Sequence, residues 1–200
     1  MKNKILYFIF LLCCSRGFLQ AQMQANNYKG FSDTISIGPP PKPTDIKALC
    51  DCISVHEKPT EADKPYFDYG YEKRLMDMAG ADITKESRES ATAKISKWWD
   101  KYKTWFQCQS SSFNVEKGSI LKFAVVMGFA PFLETIVGTY QMDINYIDPA
   151  DNRNVLDYVN DELTKAIKSQ GSAHPKVNVL KEYKELLEDL GCTPSKPAGN

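Results

Sequence analysis

Histidine is scarce in this 200-residue chain: His56 and His174 are the two present. Neither has a companion cysteine or serine in a recognisable nucleophile context. A G-x-S-x-G elbow, a phosphate-cradling glycine loop and an H-E-x-x-H zinc motif are all missing. Acidic residues are plentiful, but pairs such as Glu188-Asp189 fall on the solvent side of a helical pattern. The chain is therefore not expected to be an enzyme, and no cofactor or metal is expected. An excess of basic charge is missing too, with 25 basic against 25 acidic residues. The first 22 residues hold three of those basic residues (Lys2, Lys4, Arg16) and no acid, which leaves the remainder at a net −3. A nucleic-acid role lacks its electrostatic footprint. Long apolar runs are also missing. The longest, Ile5 to Cys14, is well short of the roughly 20 residues that span a bilayer.

That short run is nevertheless informative. Lys2 and Lys4 precede it, and Leu19-Gln20-Ala21 places a small residue before a cut, which is the form of a secretory signal over residues 1–22. Lipoprotein processing wants a small residue before the cysteine, and neither Cys13 nor Cys14 has one. A soluble mature protein is expected to begin near Gln22, without membrane insertion after cleavage. Four cysteines then remain: Cys50, Cys52, Cys108 and Cys192. An oxidising compartment favours disulfides, and four cysteines permit three complete pairings. Cys50 and Cys52 are too close in sequence to bond easily. Each is expected to reach a distant partner, tying the N-terminal segment to Cys108 and to Cys192. A zinc site at Cys50, Cys52 and His56 is the rival reading, disfavoured by export.

Residues 23–45 read as an extended arm, ending in the proline-rich run Gly38-Pro39-Pro40-Pro41-Lys42-Pro43. A helical N-terminal part follows over residues 46–112. Thr44 is placed to cap a short helix through Cys52. The aromatic cluster Tyr66-Phe67-Asp68-Tyr69-Gly70-Tyr71 is read as core filling or an end plug. The strongest helical pattern runs from Lys85 to Cys108, with Thr84 as N-cap. It places Ala91, Ile95, Trp98, Trp99, Tyr102, Trp105 and Phe106 on one apolar face. Lys94, Lys97, Lys101 and Lys103 lie mostly off that face, as a solvated row or a strip for an acidic partner.

Residues 113–192 carry a different pattern. Ser119-Ile120-Leu121-Lys122-Phe123-Ala124 opens a helix, Gly128 marks a turn, and Phe132, Leu133, Ile136 and Val137 make a second apolar helix. Met142-Asp143-Ile144-Asn145 and Asp148 follow, and Asn154-Val155-Leu156-Asp157-Tyr158-Val159 reopens the pattern thirty-five positions later. Ser119 and Asn154 are good N-caps, and Asp157 completes a capping-box arrangement. This order resembles the ankyrin-repeat family, whose repeat of about 33 residues runs G-x-T-P-L-H-x-A-A-x-x-G-H and then G-A-D-V-N. Ile120 and Lys122 replace the family's proline and histidine, which puts the turn hydrogen bond of that histidine in doubt. After Val159 the repeat is expanded, and a last helix from Lys176 to Leu190 closes in a form similar to L-L-E-x-G-A. Ala79-Gly80-Ala81-Asp82-Ile83 hints at an earlier degenerate repeat. Residues 193–200 form a tail.

The resemblance implies an all-α fold, an ankyrin-like helical repeat stack with a helical N-terminal extension. It implies a protein partner and a recognition loop at Asn145 to Asn154. Tyr146 would be the large anchor there, with Asp148, Asp151, Asn152 and Arg153 as polar contacts. Asn145 and Asp148 are also expected to hold the turn. Small exported ankyrin-like proteins of bacteria are often periplasmic immunity factors that block a secreted toxin. The implied role is therefore an envelope immunity or inhibitor protein. An adaptor joining resident envelope proteins is the alternative, ahead of an enzyme of unrecognised type.

Overall fold

Proline opens the first described helix because it lacks the N–H that a first helical turn would leave unsatisfied. Pro43–Ser54 (α1) is held at its start by Asp45, whose Oδ2 accepts the Lys42 N–H at 3.1 Å. Lys42 thus occupies the cap position expected for Thr44. A computed structural model gives the structure, which describes residues 35–56, 70–113 and 116–195. The signal-like segment and Tyr66 to Tyr69 lie outside the described residues. The described residues from Ile37 onward form one compact unit.

The described residues are mostly helical. Gly70–Ala79 (α2) and Arg88–Tyr102 (α3) follow α1. Ser87 caps α3 by accepting the Ser90 N–H, while Thr84 is held in a preceding turn by the Asp82 carboxylate. The face expected for α3 is buried as far as Tyr102, with Trp98 and Trp99 fully enclosed. The helix then stops earlier than Cys108. Lys103–Trp105 tightens into a 3₁₀ turn and Gln107–Gln109 (β1) runs extended. Tertiary pairing overrides helical periodicity here: β1 pairs antiparallel with Lys117–Ser119 (β2), and Cys108 is fixed by a disulfide. Trp105, expected on the buried face, consequently sits on the turn with 52% of its surface exposed.

Ile120–Met127 (α4) begins directly after β2, with Ser119 as its N-cap. Gly128 ends it at φ 72°, a left-handed conformation in which a Cβ would be strained. Ala130–Glu134 (α5) continues into a π-helical turn at Thr135–Thr139. A long loop leads to Val155–Gln170 (α6), capped by the reciprocal Asn154–Asp157 box. Pro175–Asp189 (α7) then packs back on α6. The core is continuous from Leu49 in α1 through Trp98, Phe106 and Phe132 to Leu187 in α7. The proline-rich arm is pinned to it by the Trp98 Nε1–H, which donates to Pro39 O at 2.8 Å. Among the described residues no helix is long and apolar enough to cross a membrane.

Candidate binding surface

The loop Asn145 to Asn154 is tied into the fold through its backbone and several of its polar side chains. Asp148 N–H donates to Arg153 O at 3.0 Å and Asn152 N–H to Asp148 O at 2.9 Å, which closes the loop on itself. The Asp148 carboxylate is buried and accepts four hydrogen bonds. Oδ2 takes the Ser119 N–H at 2.7 Å and Lys122 Nζ at 2.9 Å. Oδ1 takes Gln107 Nε2 and the Ala150 N–H, both at 3.0 Å. Burial pushes the Asp148 pKa up. The bonds from Ala150, Lys122 and Ser119 outweigh it and hold the group below its ordinary value.

Lys122 is the counter-charge, fully enclosed and shared between Asp148 and Asp151. Asp151 also binds Arg153, which reaches on to Asp161 of α6. The Lys122 ammonium donates to both carboxylates and so holds the loop onto α4.

This geometry corrects the anchor role expected of Tyr146. Tyr146 is 6% exposed, packs edge-on to Trp99 and presents no anchor to a partner. Asp148 is saturated, and Asp151 and Arg153 are turned inward to each other. Asn152 is the one expected contact left exposed, and its φ of 56° marks a turn position. Asn145 bonds Gly191 O and the Thr193 N–H, tying the loop to the C-terminal segment. Of the lysine row, Lys94 is paired with Glu86 and Lys103 with Asp143.

The cysteine pairing is corrected as well. Cys50 and Cys108 form a disulfide, as one expected link, but the bond from Cys52 to Cys192 does not form. Residues two apart on a helix point about 200° from one another. With Cys50 aimed at β1, Cys52 faces α2, where its Sγ accepts Arg74 Nε at 3.0 Å. Cys192 is a buried thiol directed at Ile144 O, its pKa pushed up to about 11 by burial. His56, offered as a zinc ligand, instead contacts Met127 O through Nε2 at 2.5 Å and stacks on Phe129.

An open groove lies on another part of the surface. A groove of about 660 Å³ runs between α1 and β1, with Ile46 and Lys47 on one wall and Gln107, Cys108 and Gln109 on the other. The Cys50–Cys108 disulfide joins the two walls, and Trp105 stands at the groove. Sequence reasoning missed this surface because it assigned Trp105 to a buried helical face. Comparison with protein-family models, curated proteins and solved structures finds no match.

Proposed function

We propose that this chain is an exported protein-binding module, and within that class an envelope immunity or inhibitor protein that occludes a secreted toxin. The half-exposed Trp105 beside a groove of about 660 Å³ carries this reading. Tryptophan is among the residues most enriched at binding hot spots, and leaving one in water has no folding benefit. The secretory form of residues 1–22 and the Cys50–Cys108 disulfide support an oxidising compartment such as the periplasm. Two helix pairs, α4 with α5 and α6 with α7, are separated by a bridged loop and capped by Ser119 and Asn154. These features support keeping the ankyrin-like repeat reading as part of the proposal.

The test has two parts. The mature protein, tagged at its C-terminus, is used to capture partners from its own envelope and from neighbouring strains. Cells carrying the full chain are then challenged with the captured protein. Stoichiometric capture of a secreted toxin and protection from it, both lost in Trp105→Ala, is the expected result. Capture of resident envelope proteins without protection would replace the inhibitor with the adaptor.

A further inference from the structure

We infer that the groove takes an extended, acidic segment of a partner protein, which adds as a strand to the outer edge of β1. This rests on the protein-binding reading above and names the chemistry of the partner at that surface. In an antiparallel pair successive residues aim their N–H and C=O alternately toward and away from the neighbouring strand. Ile120 N–H donates to Phe106 O at 2.9 Å, which fixes the phase. Cys108 therefore faces Gly118, while Gln107 and Gln109 turn their backbone groups away from β2. The opposite edge of the hairpin is already closed, because the Ser119 N–H is taken by Asp148.

Gln107, Cys108 and Gln109 all line the groove, although their side chains alternate between faces. What consecutive strand residues share is the backbone edge, so the groove includes this edge, beside Lys117 of β2 and Phe123 of α4. Its volume matches such an occupant. At strand spacings of about 3.3 Å by 4.8 Å by 10 Å per residue, 660 Å³ holds about four extended residues. That suits the three-residue length of β1. Charge sets the sign of the partner. Asp51 in the groove is neutralised by Lys47 at 2.7 Å, and Lys117 stands without an ion-pair partner among the described residues. An acidic side chain on the incoming strand would meet Lys117, with Trp105 packing on an apolar neighbour. Strand addition of this kind draws affinity from main-chain bonds and specificity from flanking side chains.

The probe is a displayed library of random linear twelve-residue peptides, selected on the disulfide-intact mature protein and followed by binding of the resynthesised hits. The expected hits are acidic, and binding falls at least tenfold in Lys117→Glu. Gln109→Pro, which removes one outward N–H while leaving the β2 bonds, abolishes binding, and Gln109→Ala does not. Absence of hits, basic hits, or hits indifferent to both Gln109→Pro and Lys117→Glu would overturn strand addition. A homodimer lost in Gln109→Pro would put a second copy in the groove and overturn the acidic partner. The captured envelope partner separates the two readings. Loss of its binding in Trp105→Ala but not in Gln109→Pro leaves the binding surface standing and removes the strand, whereas indifference to Trp105→Ala removes both.

Discussion

Lys122 is the residue on which the loop geometry turns. A buried ammonium between two carboxylates is stable only as a complete set, since removing one partner leaves an uncompensated buried charge. Lys122→Ala is expected to lose about 3–5 kcal/mol in chemical denaturation. Lys122→Arg, which keeps the positive charge between the two carboxylates, should lose less than Lys122→Ala. Asp148 also gives a pH signature. Its folded pKa is depressed, so its stabilisation is fully present above the unfolded value of about 3.9 and is lost as pH falls through the folded one. Stability should decline below about pH 4, and the native-minus-variant difference for Asp148→Asn should shrink over the same range. An unchanged difference from pH 6 to pH 2 would contradict this role.

Among elements, the contact of α1 with the hairpin is the one that shapes the surface. The Cys50–Cys108 bond closes a loop of 58 residues and links the two walls of the groove. Loop-closure entropy sets its contribution at about 4 kcal/mol. Cys108→Ser should lower the denaturation midpoint accordingly. Non-reducing peptide mapping should link the Cys50 and Cys108 peptides while Cys192 reacts with alkylating reagents only after unfolding. The arm is held as tightly. A Cβ on Gly38 would lie 2.0 Å from Met78 O, so Gly38→Ala should cost on the order of 2 kcal/mol by thermal melting. The elements were largely legible in the sequence where one local rule dominated. Ser119 and Asn154 cap α4 and α6, Gly128 turns the chain, and the α3 face was read correctly to Tyr102. The misreadings lie where a distant contact competes with local pattern. Helical periodicity through Trp105 and Phe106 loses to the Phe106–Ile120 and Cys50–Cys108 links. The polar loop residues from Asp148 to Arg153 look like contacts in a sequence, and nothing local reveals that Lys122, twenty-six positions before Asp148, draws them inward.

At the level of the whole molecule, the charged groups of the loop stabilise it from within, and in the proposed function the half-exposed Trp105 meets the partner. Trp105 is half exposed and its ring packs edge-on to Tyr102, so Trp105→Ala should cost about 1 kcal/mol of unfolding stability and leave the protein folded. Its larger effect should fall on binding, where truncation of a central tryptophan costs about 2 kcal/mol or more, a thirtyfold weakening. Tyr146→Ala should behave in the opposite way, unfolding the protein more readily through loss of its packing on Trp99. The measurement that tests the account most directly is the affinity of the captured partner for Trp105→Ala, with circular dichroism melting of the same sample. Affinity reduced at least thirtyfold in a variant that still melts cooperatively, only a few degrees lower, is the predicted result. Native affinity, or a loss accompanied by unfolding, would contradict the groove as the binding surface.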